Sequence, residues 1–292
     1  MKHILILLAL LLFPATASAQ LLYPAPVLSA PTTITLGSGP TVTKLDPRKD
    51  YIIQLPKVKK RGSTQILGGH HITIIGGLLS VPKGDEARRA LYIKDATGTV
   101  HIEGLRIDVS DAEADGIVIA APLATVQIQN VRIVGVHGFL RTWHADVVQP
   151  WGGAKRLLID NMTAYSAYQG LQFTALKGPI GEVRFSRINL VSTGKQVWTK
   201  GANGGNGGFL MYFTCSYDVP TTLTDVYVQQ RVERGPEIAV YPPADNSTKC
   251  RSTLNKTRVS FTGLPSIVGH VTVGRKADYV PAKAVGLGYV AK

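Results

Sequence analysis

Short segments in the middle of the chain resemble one another, and this repetition constrains the fold more than any other feature of the sequence. Each copy has an apolar run, a sharp corner and a second apolar run. The copies begin at His71, Thr99, Thr125, Lys155 and Gly181, with a weaker copy at Thr222. A chain that repeats a unit of about 26 residues is expected to stack equivalent residues of successive copies on one another.

Equivalent positions in the copies form columns of one residue type. The expected inward columns are Ile75, Ile102, Ile128, Ile159, Phe185 and Leu223; Leu78, Leu105, Val131, Met162, Ile188 and Val226; and Ile107, Ile133, Ala164, Leu190 and Val228. The corner column is Gly77, Gly104, Asn130, Asn161, Arg187 and Asp225. Because Gly and Asn adopt positive φ most readily, this column predicts a left-handed corner in each copy.

A second strand precedes each copy, and its expected inward residues are Leu91, Ile117, Val148, Leu171 and Phe209. Each repeat then carries two or three short strands, and the chain has no amphipathic helical run long enough to form a crossover helix. This pattern predicts an all-β fold, a parallel β-helix of about six to seven coils. Parallel crossovers are right-handed by default, so the β-helix is expected to be right-handed.

With its ITIIGG opening at Ile72 to Gly77, its Gly/Asn corners and its stacked aliphatic columns, the segment 64–230 resembles the pectin-lyase-like superfamily. That superfamily has a right-handed parallel β-helix that hosts lyases, hydrolases, epimerases, adhesins and phage spikes, so the resemblance implies a fold more than an activity. The chain has neither the adjacent Asp-Asp pair nor the Gly-His-Gly motif of polygalacturonases. It also lacks the Arg-x-Pro-x-x-Arg arrangement of typical pectate lyases.

The N terminus predicts a secretory signal peptide over residues 1–19. Lys2 and His3 precede the apolar run from Ile4 to Phe13, and small residues lead to an expected cleavage site near Ala19. The apolar run is too short to span a bilayer, and no transmembrane segment is expected in the mature chain. We therefore expect a periplasmic or secreted protein.

The rest of the chain divides into three expected parts. Residues 20–50 form an N-terminal lead-in and cap, residues 51–230 form the β-helix, and residues 231–292 form a C-terminal capping region. Cys215 and Cys250 are the two cysteines of the chain. In an oxidising compartment they are expected to pair and to tie the capping region to the body.

The charge of the chain points to a polyanionic partner. There are 32 Lys and Arg residues against 19 Asp and Glu residues, a formal net charge of +13. Such an excess suits nucleic acid, anionic lipid or acidic polysaccharide. An exported location argues against nucleic acid and favours an acidic polysaccharide as the partner.

The candidate catalytic residues lie in the third, fourth and fifth repeats. Asp115 and Asp146 are expected at one level of adjacent parallel strands, about 4.8 Å apart. Stacked like charges would raise one pKa and create a proton donor, or would jointly bind a hard cation such as Ca²⁺, the one cofactor that these residues suggest. His144 is a candidate general base or acid, and Tyr168 is a candidate second acid/base.

Side chains of the types that bind acidic sugars surround these residues. Aromatic rings stack on sugar rings, amides bind hydroxyl groups, and cations neutralise uronate carboxylates. The candidate substrate-binding residues are Trp143 and Trp151; Gln149, Gln169 and Gln172; and Arg141, Lys94 and Lys177.

Two functions remain open at this level. The first is a carbohydrate-active enzyme, a lyase or epimerase that acts on an acidic polysaccharide in a groove on the β-helix face. The alternative is a non-catalytic glycan-binding or surface-structural β-helix protein. In the alternative, Asp115 and Asp146 only cap strand starts, and His144 is an ordinary loop residue.

Overall fold

The computed structural model describes residues 20–173, 177–194, 208–231, 239–243 and 249–291. These residues form 21 strands, most of them paired in parallel, and one short 3₁₀ turn at Ala282–Ala284. The fold is therefore all-β, as the sequence predicts. The expected signal peptide, residues 1–19, lies outside the described residues. Among the described residues, no helix has the length and apolar character needed to cross a membrane.

Successive repeats pair in parallel in two sheets. Sheet A contains, in order of pairing, β1 (Thr32–Thr35), β3 (Tyr51–Gln54), β6 (Ile72–Ile75), β9 (Thr99–Glu103), β11 (Asp115–Val136), β13 (Ala154–Ser166), β15 (Val183–Ser192), β17 (Thr221–Gln229) and β21 (Ile267–Val273). The short strands β4 (Lys60–Arg61), β7 (Leu78–Ser80) and β10 (Arg106–Asp108) continue it after the corners. Strand β4 pairs with β7, β7 with β10, and β10 with β11.

Sheet B is built from the strands that precede these copies. In order of pairing it contains β2 (Thr41–Leu45), β5 (Thr64–Gly68), β8 (Arg89–Lys94), the first part of β11, β12 (Val148–Gln149), β14 (Leu171–Phe173), β16 (Met211–Phe213) and β18 (Val240–Tyr241). Strand β11 is long enough to belong to both sheets, so it joins them within one repeat.

The predicted inward columns are confirmed from the second copy onward. Ile102, Ile128, Ile159, Phe185 and Leu223 are direct register partners on consecutive strands. All five are buried in one apolar core. The column from Ile107 to Val228 is paired and buried in the same way.

Three positions in the predicted columns are wrong. In the first copy Ile74, not Ile75, pairs with Ile102, and Leu78 pairs with Arg106 instead of occupying the position of Leu105. The register differs because the corner contains two glycines with positive φ, Gly76 and Gly77. In sheet B, Met211 rather than Phe209 pairs with Leu171. An irregular segment precedes β16, so the strand begins later than its Gly208 suggests.

The left-handed corners are confirmed. The six corner residues predicted from the sequence all have positive φ, from 50° at Asn130 to 103° at Gly77. The Asn161 amide donates a hydrogen bond to the Asn130 Oδ1 atom at 3.0 Å, so stacked corners also bond to each other. Arg187 adopts a positive φ less readily than Gly or Asn, and its guanidinium binds the buried Asp160 carboxylate, which offsets that cost.

The two ends of the chain add strands beyond the expected range of 51–230. Strands β1 and β2 already pair with the next repeat, so parallel pairing starts within the expected lead-in. In the C-terminal region β21 pairs in parallel with β17, and β19 (Arg251–Asn255) and β20 (Arg258–Thr262) form an antiparallel hairpin beside it. The predicted disulfide between Cys215 and Cys250 is present, with a Cα–Cα distance of 5.4 Å.

We expect Gly104→Ala to destabilise the protein more than Gly84→Ala. Both glycines have positive φ, 71° and 88°, so each variant has the backbone cost of about 1–2 kcal/mol. A Cβ at Gly84 meets no atom within 4 Å, whereas one at Gly104 would lie 2.0 Å from the Tyr289 ring. Overpacking should add about 1–3 kcal/mol or detach the C-terminal tail. Urea unfolding and amide exchange at residues 286–291 measure both effects; equal destabilisation without faster exchange would contradict the packing role of Gly104.

Candidate functional site

A groove of about 340 Å³ lies on the outer side of sheet B. It contains carboxyl, imidazole, amide, indole and cationic groups within one concave surface. Its lining residues are Arg89, Asp115, Trp143, His144, Gln149, Trp151, Gln169, Gln172 and Lys177. Eight of these nine were named from the sequence, so stacking of the repeats brings most of the predicted set together.

Stacking of the repeats places Asp146 next to Asp115. Asp115 begins β11, and the backbone N–H of Gly116 donates a hydrogen bond to the Asp146 carbonyl in the segment that leads into β12. The Asp146 N–H in turn donates to Asp115 Oδ1 at 2.9 Å. This hydrogen bond is the one expected if Asp115 only caps a strand start, but Asp115 also lines the groove.

Burial raises the pKa of both carboxyl groups. Burial raises the pKa of Asp115 to about 7, against the opposing effects of the Asp146 N–H and the Arg89 charge. The pKa of Asp146 lies well above its usual range because the side chain is fully buried and Asp115 is adjacent. Neither carboxyl oxygen of Asp146 has a hydrogen-bond partner among the described residues. Burial therefore favours the protonated form of Asp146, while Asp115 can both give and accept a proton near pH 7.

His144 and Tyr168, which the sequence suggested as proton-transfer groups, lie next to each other. Their ring centroids are 5.8 Å apart. His144 is exposed, and its Nε2 atom lies 2.6 Å from the Leu140 carbonyl oxygen. Since a carbonyl only accepts, Nε2 must donate, which leaves the lone pair of the neutral ring on Nδ1.

Tyr168 is almost completely buried and does not line the groove. Burial and the neighbouring Asp146 raise its pKa to about 12. It is a neutral phenol at pH 7.

Two tryptophans with stacked cations flank the groove. The Arg88 guanidinium lies 5.3 Å from the Trp143 ring centroid, and the Lys177 ammonium lies 5.0 Å from that of Trp151. The nearby Trp143 indole N–H helps to lower the pKa of Asp115, although it does not form a hydrogen bond to that carboxyl group.

Several buried polar atoms of the groove have no protein partner among the described residues. They are the two indole Nε1 atoms, Arg89 Nε and Gln172 Oε1. The Gln172 amide nitrogen is already used, because it donates to Gln169 Oε1 at 3.0 Å. Buried donors and acceptors normally have partners, so a polar ligand would complete this set.

Two of the residues predicted to bind substrate are not in the groove. Lys94 is exposed at the end of β8, with its Nζ 3.8 Å from the Asp95 carboxylate. Arg141 lies in an exposed turn closed by the Thr142 N–H and the Phe139 carbonyl. Alignment of the strands with Trp151 suggested Lys94, and proximity in sequence to Trp143 and His144 suggested Arg141, but a strand end and a turn place these side chains elsewhere.

Arg89 was missed, although the sequence contained a signal for it. It is the direct register partner of Asp115 on the preceding strand, and its guanidinium lies 4.9 Å from the Tyr92 ring centroid. Arg89 precedes Ala90-Leu91 as Asp115 precedes Gly116-Ile117. Extending the polar row by one repeat would have found it.

The groove offers few ligands to a metal ion. Ca²⁺ takes about six to eight oxygen ligands, and Asp115 supplies the only carboxyl group among the described lining residues of the groove. Elsewhere Asp50, His70 and His71 lie close together. His70 Nδ1 bonds to Asp50, and His71 Nδ1 accepts the Thr99 N–H, which leaves the proton of the neutral His71 ring on Nε2. This cluster therefore serves as a hydrogen-bond network at the strand entrance.

Comparisons with protein-family models, with curated proteins and with solved structures find no match for this chain. The functional interpretation therefore depends on the chemistry of the groove.

We expect Asp115→Asn to gain stability over the wild type as pH rises from about 4 to about 7. The pKa of Asp115 is raised by folding from 3.8 to about 7, so the folded state holds a proton that the unfolded state releases. The free energy of unfolding of the wild type therefore decreases through this window and levels off above it, whereas the Asn side chain does not titrate. The Asn variant keeps an oxygen for the Asp146 N–H.

Melting temperatures across this range measure the difference between variant and wild type. Asp95→Asn is the matched control, because Asp95 is 65% exposed and lies outside the groove. A stability difference between Asp115→Asn and the wild type that does not change with pH would contradict the raised pKa.

Proposed function

We propose that this protein is a carbohydrate-active enzyme, a lyase or epimerase that acts on an acidic polysaccharide in the groove. The observation that carries the proposal is the Asp115 carboxyl group, which has a pKa of about 7 and lines a groove flanked by two tryptophans. A carboxyl group that can transfer protons at neutral pH is what general acid/base chemistry requires.

The substrate class follows from the charge and shape of the lining. Arg89 and Lys177 are cations that can neutralise uronate carboxylates, and Trp143 and Trp151 offer apolar faces to sugar rings. Gln149, Gln169 and Gln172 supply amide groups for hydroxyls. The net charge of +13 favours the approach of a polyanion.

The reaction begins with removal of the C5 proton of a uronate. Neutralising the sugar carboxylate acidifies that proton, and His144 Nδ1 is the base. In elimination, the C4–O4 bond breaks as a C4–C5 double bond forms, and the leaving oxygen takes a proton from Asp115. In epimerisation, C5 instead regains a proton from the opposite face. Both outcomes use the same base and differ in where the second proton goes.

This assignment selects among the acids that the sequence suggested. Tyr168 and either of the stacked aspartates were the candidate acids. Asp115 lines the groove, whereas Tyr168 and Asp146 do not. They act instead on Asp115 and His144. Asp146 donates its N–H to Asp115, and Tyr168 packs against the His144 ring.

The fold and location belong to the same proposal. Parallel pairing of consecutive repeats and the left-handed corners support a parallel β-helix of the pectin-lyase-like kind, and the usual hand of parallel crossovers makes it right-handed. The disulfide supports an exported protein. We infer that residues 1–19 are its signal peptide.

A glycan-binding protein without catalysis is the second candidate. The unsatisfied indole N–H groups and the Gln172 oxygen favour it, because they equip the groove to bind a polar ligand whether or not a reaction follows.

We expect the purified protein to form unsaturated or epimerised product from a uronate polymer such as polygalacturonate, alginate or heparan sulfate. Asp115→Asn and His144→Ala should each lower kcat/KM by about 10²–10⁴-fold, the usual contribution of a general acid or base. Ultraviolet absorbance follows the double bond, reducing-end assays follow chain cleavage, and NMR of C5 follows epimerisation, each with and without added Ca²⁺.

Asp95→Asn and His270→Ala are the controls, since both residues lie outside the groove and should leave turnover unchanged. Full activity in either groove variant would contradict the assigned roles. Reducing ends without unsaturated product would indicate a hydrolase. Salt-sensitive binding of the polymer without any product would establish the glycan-binding alternative.

A further inference from the structure

An aromatic cluster continues the floor of the groove along sheet B. Gln172 pairs with Tyr212 on the next strand, and Tyr212 pairs with Tyr241 on the strand after that. Parallel strands are about 4.8 Å apart, so the two tyrosines lie one and two strand spacings beyond the groove. Phe209 completes the cluster, and we call these three residues the aromatic platform.

The rings of the platform pack on one another in a fixed arrangement. Tyr212 and Tyr241 stack with centroids 4.0 Å apart and an interplanar angle of 14°. Phe209 meets both edge-on, at 5.6 Å and 5.1 Å. All three side chains remain half-exposed on the outer side of the sheet. Since Tyr241 covers one face of the Tyr212 ring, the opposite face is on the side of Gln172 and the groove.

The platform has the chemistry of a sugar-binding surface. Its rings offer apolar faces and edges, and its phenol groups can exchange hydrogen bonds with sugar hydroxyls. Burial, with the neighbouring Tyr241, raises the pKa of Tyr212 to about 12. Tyr212 is therefore uncharged at pH 7 and does not repel a uronate.

We propose that the aromatic platform is an additional carbohydrate-binding subsite, which holds the part of an acidic polysaccharide that extends beyond the groove. This inference rests on the proposed function and deepens it, because the protein would bind long chains in preference to short oligosaccharides. The occupant is a polysaccharide because the platform continues the outward row of Gln149 and Gln172 without a break in register.

The test measures binding of a polymer and of its trisaccharide by calorimetry, with the polymer chosen from those that the protein binds. The Asp115→Asn background prevents degradation of the chain. In that background Tyr212→Leu, which keeps apolar bulk but removes the ring, should weaken polymer binding several-fold to about tenfold. Trisaccharide binding, which needs only the groove, should not change.

Two further variants test whether the loss of affinity comes from removing the Tyr212 ring itself. Tyr212→Phe keeps the ring and should retain most of the affinity for polymer. Tyr227→Leu removes a tyrosine from sheet A, where Tyr227 lies near Lys276 and Tyr279, and should change neither affinity. Circular dichroism verifies that each variant is folded, and Phe209→Leu provides the same comparison if Tyr212→Leu does not fold.

The two proposals fail in different ways. If the Asp115→Asn protein binds no acidic polysaccharide, the proposed function and the platform both fail. If it binds polymer and trisaccharide, and the platform variants weaken neither or weaken both equally, only the platform is overturned.

Discussion

Parallel hydrogen bonding between successive repeats is the constraint on which the rest of the structure depends. It places equivalent residues of neighbouring repeats about one strand spacing apart, whatever their chemistry. In the interior this stacks Ile102, Ile128, Ile159 and Phe185 into an apolar column. At the corners it stacks amides that bond to each other. On the outer side of sheet B it brings carboxyl, amide and aromatic groups into the groove.

The carboxyl pair at the groove shows the energetic cost of this stacking. Asp146 is fully buried, and its carboxyl oxygens have no partner among the described residues, an arrangement that opposes folding. Asp115 shares the cost through its raised pKa. An apolar pair at these positions would extend the core at no such cost. Buried carboxyl groups that line a groove are typical of sites where protonation matters for function.

Segments near both ends of the chain pack on sheet A. Residues near the N terminus bind the outer side of sheet A, where Tyr23 and Gln129 exchange two hydrogen bonds. The C-terminal tail crosses the same sheet, with Asp278 bonded to Arg132 and Tyr289 bonded to Glu103. These contacts occupy several polar groups of sheet A, whereas the groove and the aromatic platform lie on sheet B.

The sequence by itself determined the repeat, the left-handed corners, most of the inward columns and the disulfide, because each depends on residue type at a regular spacing. It also indicated eight of the nine lining residues of the groove, since register follows from the repeat. Tertiary structure alone decided that Lys94 and Arg141 lie outside the groove, that Asp115 rather than Tyr168 or Asp146 faces it, and that Arg89 joins it. Exposure and acid strength depend on how loops and strand ends pack around a residue, and repeat spacing does not specify that packing.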